Sequence, residues 1–187
     1  MKFVNAMACS LMLAAMSTAA RAEDLSYSNL DLGWLSTDLD NGPTVDGFGL
    51  RGSVGFAENL FVFGEFSNQE VSNVDIDQYA AGIGGHLGIS ENVDLVGRLG
   101  YINTEVSSGS FSADDDGYLV SAGLRGRVVE DFELEGGVIY RDLGGNADDT
   151  AAVIGGRWFF HENFAINAEY EHSDDSGTIF AGVRFTF

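Results

Sequence analysis

Apolar and polar residues alternate with a period of two along most of the chain. This is the mark of strands that present one face to a greasy environment and the other to a polar one. The apolar parity of residues 46–56 falls on Phe48, Leu50, Val54 and Phe56. In 77–89 it falls on Tyr79, Ala81, Ile83, Leu87 and Ile89, and in 117–128 on Tyr118, Val120, Ala122, Leu124 and Val128. The last three stretches repeat it, through Ile154 and Trp158, Ile166 and Tyr170, and Ile179, Val183 and Phe185. A short motif punctuates the alternation: Phe56-Ala57-Glu58-Asn59-Leu60, Ile89-Ser90-Glu91-Asn92-Val93, Val128-Val129-Glu130-Asp131-Phe132 and Phe160-His161-Glu162-Asn163-Phe164. Its acidic residue recurs at spacings of 33, 39 and 32. Each interval holds two alternating strands and one turn, so the repeat is a hairpin in an up-and-down meander rather than a solenoid coil.

Ten strands are predicted, at 25–36, 46–56, 60–68, 77–89, 93–104, 117–128, 132–142, 150–160, 164–172 and 177–187. Eight is the alternative count if a weak hairpin is misassigned. Four tight turns fall at one end. Longer polar connections at 37–45, 69–76, 105–116, 143–149 and 173–176 fall at the other. The fold class expected is all-β, an antiparallel up-and-down transmembrane barrel with short turns on one side of the membrane and longer loops on the other.

The charges test which face meets lipid. Arg51, Arg98, Arg125, Arg127, Arg141, Arg157 and Arg184 all fall opposite the apolar parity, as do Glu65, Asp94, Glu133, Glu135, Glu169 and Glu171. Chance would place seven arginines on one side roughly once in a hundred times, since neighbours alternate. An arginine facing lipid costs about 2–4 kcal/mol at the bilayer midplane, which gives the bias a cause. A water-soluble barrel would instead fill its lumen with apolar side chains and turn its charges outward. The expected lumen is therefore an ion-pair network of Arg51, Glu65, Arg98, Arg125, Arg127, Glu133, Glu135, Arg141, Arg157, Glu169 and Arg184. Outward aromatics form two tiers. Trp34, Phe48, Phe66, Tyr79, Tyr101, Tyr118, Tyr140 and Tyr170 lie towards the long-loop end, and Phe56, Phe132, Trp158, Phe160, Phe164 and Phe187 towards the tight-turn end. Two such girdles flank the apolar belt of membrane barrels.

Composition narrows the classes further. The chain has 187 residues, 25 Gly, one Pro and a formal net charge of −20. That charge argues against nucleic acid as a partner, because phosphate contacts need clustered Lys and Arg. The first 22 residues read as a Sec signal peptide: Met1-Lys2, an apolar stretch from Phe3 to Ala15, and Ala20-Arg21-Ala22 as the cleavage site. The apolar run is too short for a membrane anchor, and Cys9 sits too early for a lipoprotein. The domain expected after cleavage is 23–187, with no cysteine and no lysine.

The search for chemistry yields little. His86, His161 and His172 fall on a strand, a tight turn and the outer rim, so they cannot converge on a metal. His172-Ser173-Asp174-Asp175 is a run of neighbours, whereas a catalytic triad needs convergent geometry. No enzyme activity, catalytic residue, metal or cofactor is expected. Asp38, Asp40, Asp46, Asp75, Asp77, Asp114 to Asp116, Asp148, Asp149, Asp174 and Asp175 ring the long-loop end. Asp38-Leu39-Asp40-Asn41-Gly42 lacks the spacing and bidentate Glu of a calcium loop, so the ring reads first as a solvated acidic surface. It is also suited to sharing divalent cations with lipopolysaccharide phosphates.

The chain ends Gly182-Val183-Arg184-Phe185-Thr186-Phe187. This resembles the C-terminal β-signal of outer-membrane barrels, carried here by Gly182, Phe185 and Phe187, with Phe180 where a polar residue often stands. With the signal peptide and the hairpin repeat, the whole chain after residue 22 resembles the small OmpA/OmpX-like, porin-family barrels. The resemblance implies location in the cell outer membrane and insertion by the barrel-assembly machinery. Lipid and lipopolysaccharide are the implied neighbours; the oligomeric state is left open, with a monomer favoured. The family is functionally mixed, so the role is read from the residues: non-enzymatic, structural or surface contact through the acidic outer loops, with the lumen plugged by Arg/Glu pairs. A narrow porin-like channel for ions or small solutes is the alternative.

Overall fold

The computed structural model describes residues 25–40, 42–109, 111–144 and 148–187. The expected signal peptide and its cleavage site lie outside these residues. Ten strands follow one another: β1 Asn29–Leu39, β2 Thr44–Ala57, β3 Leu60–Val71, β4 Val74–Ser90, β5 Val93–Ser108, β6 Phe111–Val129, β7 Phe132–Asp142, β8 Asp148–His161, β9 Phe164–His172 and β10 Ser176–Thr186. Each pairs antiparallel with its neighbours in sequence, and β1 pairs with β10 to close the barrel. Closure leaves the described strands no open sheet edge, so each has a ladder partner on both sides for its backbone groups.

The hairpin motif has one structural meaning. Each tight turn is preceded by a β-bulge, between Gly55 and Ala57, Gly88 and Ser90, Arg127 and Val129, and Phe159 and His161. The second turn residue then offers its carbonyl to the next strand along: Asn59 to His86, Asn92 to Arg127, Asp131 to Phe159 and Asn163 to Thr186, at 2.8–3.0 Å. The repeat is a bulged turn that stitches three strands together at the tight-turn rim.

The opposite end departs from the sequence reading in extent. Much of 69–76 and 105–116, predicted as loop, is paired strand. The β3–β4 turn narrows to Ser72 and Asn73, both at positive φ, and Gly109 at φ 59° serves β5–β6. The longer outer connections exist, but as hairpin arms continuing the sheet above the girdle. The first strand also starts later than predicted, at Asn29 instead of residue 25, because Leu25–Ser28 leave the sheet.

The parity assignments hold throughout. Leu32, Leu50, Ile83, Leu99, Leu124, Val138, Ile154, Ile166 and Val183 face outward, Ile154 being 62% exposed. The buried residues sit inside the cylinder, where Tyr27, Phe61, Phe63, Ala80, Ile102 and Leu119 form one cluster. Glycine makes room for them. A Cβ on Gly84 would lie 2.1 Å from the Phe61 ring, and one on Gly100 would lie 2.8 Å from the Phe63 ring.

Candidate functional site: the ionised lumen

All seven arginines after residue 22 point into the lumen and meet carboxylates there. Burying a charge is tolerable when it is paired, and the pairing takes three geometric forms. Some pairs join adjacent strands. Arg125 of β6 approaches Glu133 of β7 through Nη2 at 2.7 Å and Nε at 3.1 Å, and Arg127 adds Nη2 at 3.1 Å to the other oxygen. Arg157 of β8 pairs with Glu135 of β7. One pair lies directly on the closing seam: Arg184 of β10 grips Asp31 of β1 through two bonds of 2.6 and 2.7 Å.

The third form spans intervening strands, which demands small residues in between. Arg98 of β5 reaches Glu65 of β3 at 3.3 Å over the Gly82 and Gly84 face of β4. Arg141 of β7 reaches past Ala151 of β8 to Glu171 of β9, at 2.6 and 2.8 Å, with Asp149 at 3.5 Å. Arg51 of β2 crosses β1 and β10, where Gly33 opposes Gly182, to bind Glu169 of β9 at 2.6 Å. Its guanidinium also lies 4.3 Å from the centre of the Phe180 ring, a cation–π contact. Every arginine and glutamate expected in the network therefore meets an opposite charge. The sequence reading omitted Asp31, Glu171 and Asp149 as partners. Asp31 was findable, since Leu30, Leu32 and Trp34 fix the outward parity around it.

The remaining space is polar. A cavity of about 140 Å³ is bordered by Arg51, Arg98, Arg157, Glu169 and Asn167 among others. Arg157 Nε and Nη1, Arg127 Nε and Asn167 Oδ1 have no hydrogen-bond partner among the described residues, and Arg157 stands opposite Asn167 in the β8–β9 register. The cavity is roomy and polar enough for several ordered waters bridging such donors and acceptors.

Of the residues resembling a β-signal, Gly182 and Phe185 lie on β10 and Phe187 follows directly after it. Gly182 faces inward against Gly33, while Phe185 and Phe187 turn outward and pack on each other, with Phe185 also against Phe164. His86, His161 and His172 stay apart, on β4, at the end of β8 and at the end of β9. Among the described residues, no group of three His, Cys, Asp or Glu is placed to hold a metal.

A closed cylinder with an apolar waist, two aromatic girdles and an ionised interior is a membrane-spanning β-barrel. Residues 6–186 match the family described as outer membrane protein beta-barrel domain. The chain belongs to that family and resides in the cell outer membrane. Among solved structures, the KdgM porin in complex with disordered oligogalacturonate is similar at 12% identity and a TM-score of 0.50, over 85% of this chain and 99% of that one. Ail, the attachment invasion locus protein of Yersinia pestis, is 21% identical with a TM-score of 0.40, over 86% and 97%. The N-terminal β-barrel domain of Pseudomonas aeruginosa OprF is 9% identical with a TM-score of 0.46, over 87% and 100%. The likeness to KdgM is one of fold. No curated protein sequence matches the chain.

Proposed function

We propose that this is a non-enzymatic outer-membrane barrel whose lumen is closed, with a structural or surface-contact role exercised through its acidic outer hairpins. The observation that carries the reading is the pairing of every lumen arginine, with Phe61, Phe63 and Phe180 filling the space between the pairs. An open pore needs charged walls that face a water column; here the arginines are engaged with carboxylates on the wall itself, over as many as two intervening strands. Export by a cleaved signal peptide, insertion through the C-terminal signal and residence as a monomer among lipid and lipopolysaccharide complete the proposal. Divalent cations shared between lipopolysaccharide phosphates and the outer Asp residues are part of the same surface role.

The second reading is a narrow channel for ions or small solutes, favoured by the 140 Å³ polar cavity. A polyanion such as the oligogalacturonate held by KdgM is a poor candidate, because the outer carboxylates would repel it. Planar-bilayer recording on purified, refolded protein separates the two. Silence apart from rare, irregular steps supports the closed barrel. A steady, reproducible open state supports the channel.

A further inference from the structure

The four residues ahead of β1 do not continue the sheet. Leu25–Ser28 turn into the periplasmic mouth, where Tyr27 is 9% exposed. Its ring is stacked on His86 with centroids 3.9 Å apart and on Phe61 at 5.1 Å. The Arg125 guanidinium lies 5.0 Å from its centre. Its hydroxyl donates to Asp94 Oδ2 at 2.7 Å, and His86 Nδ1 is 3.2 Å from the same oxygen. The backbone is held as well. Arg125 Nη1 donates to the Ser26 carbonyl at 2.9 Å, and Ser53 Oγ donates to the Tyr27 carbonyl at 2.8 Å. At the hinge, the Phe187 amide donates to the Ser28 carbonyl at 3.1 Å and the Gly55 amide to Ser28 Oγ at 3.1 Å.

A segment needed only to enter the barrel would run along the rim. This one places an aromatic ring in a socket built from four strands, with a partner for the tyrosine's hydroxyl and one for its carbonyl. We propose that Leu25–Ser28 are a strap that closes the periplasmic mouth of the lumen, with Tyr27 as its latch. The inference rests on the closed-lumen reading and assigns part of that closure to one displaceable segment. The strap is local. It leaves the ladder of ten strands intact when withdrawn, since β1 begins only at Asn29.

The test uses the chain from Glu23 to Phe187, which has no native cysteine, refolded in detergent and in planar bilayers. A reporter thiol is placed at Val96, which lines the cavity and packs against the Tyr27 cluster. Three chains carrying V96C are compared: otherwise unchanged, with Tyr27→Ala, and without residues 23–28. Gel mobility of unheated samples confirms that each is folded. Labelling by a small charged thiosulfonate should be at least tenfold faster in the two altered chains. Tyr27→Phe, which keeps the stack and loses the Asp94 bond, should fall between. Equal labelling rates in folded proteins overturn the strap. Recording the chains without the reporter thiol separates this from the broader reading. Steady conduction by the unaltered chain refutes the closed lumen, whereas openings that appear or become more frequent only in Y27A and the truncation support both statements.

Discussion

Glu133 is 0% exposed and its carboxylate collects three N–H donors from two arginines. Glu133→Gln keeps the shape, removes the charge and turns one acceptor into a donor that faces a guanidinium. Hydrogen bonds to a charged group are worth about 1.5–3 kcal/mol each, so a naive sum over three gives roughly 4.5–9 kcal/mol. The sum overshoots, because Arg125 keeps the Ser26 carbonyl and the Tyr27 ring, and water in the cavity can solvate part of what is lost. Breaking one buried pair typically costs about 3–5 kcal/mol, and that range is the expectation here. It corresponds to a fall in the folding constant of roughly two to four powers of ten. Urea titration of the barrel in small lipid vesicles, with the folded fraction read by gel mobility without heating, measures it. Glu65→Gln is the control. Its partner Arg98 is 3.3 Å away and both side chains are about a third exposed, so the loss should stay under about 1 kcal/mol. Exchanging Arg125, Glu133 and Arg127 together for Met, Leu and Met should recover most of the stability, since no lone charge is left behind. An E133Q variant within 1 kcal/mol of the parent, or no worse than E65Q, refutes the premise that the lumen behaves as a buried, low-dielectric interior.

Val120 lies on the apolar belt at 43% exposed, so Val120→Arg should cost about 2–4 kcal/mol in the same titration while Val120→Leu stays silent. Gly84→Ala puts a methyl 2.1 Å from the Phe61 ring and should cost about 1–3 kcal/mol, with the penalty shrinking in a Phe61→Leu background. On the outer hairpins Glu105 stands between Asp77 and Asp114 in cross-strand register. Glu105→Gln should therefore stabilise by about 0.2–1 kcal/mol at low ionic strength. That gain should fade when salt is added, which a second titration at high salt checks.

Period-two alternation was enough to assign the inner and outer faces because every strand touches two chemically opposite media. Ile154 and Arg157 sit three residues apart and on opposite sides, as parity requires. Composition misled where the media became alike. Above the girdle both faces meet water, so the arms at 69–76 and 105–116 carry Asp, Ser and Asn and read as loop. Pairing persists there because the hairpin only extends a register already set inside the membrane, as Ile76 opposite Val106 and Val106 opposite Ala113 attest. The late start of β1 was illegible for another reason. Tyr27 keeps the lumen parity of Asn29 and Asp31, and nothing local tells a strand residue from a latch that leaves the strand.

For the lumen, parity tells which side a charge occupies but not whom it meets. Arg125 with Glu133 follows from one hairpin, a local event. Arg51 with Glu169 needs the relative heights of β2, β1, β10 and β9, and Asp31 with Arg184 needs the closure itself. The dependence also runs backwards. Sliding β1 against β10 by two residues would preserve parity and the apolar belt, so hydrophobicity alone barely opposes it. It would set Asp31 opposite Gly182 or Thr186 and leave the Arg184 guanidinium, 7% exposed, without its carboxylate. Losing a buried pair costs about 3–5 kcal/mol, comparable with the net stability of a small domain. The lumen charges thus select one closure among those the greasy exterior would accept, and the lumen ion pairs and the barrel's register are one set of interactions.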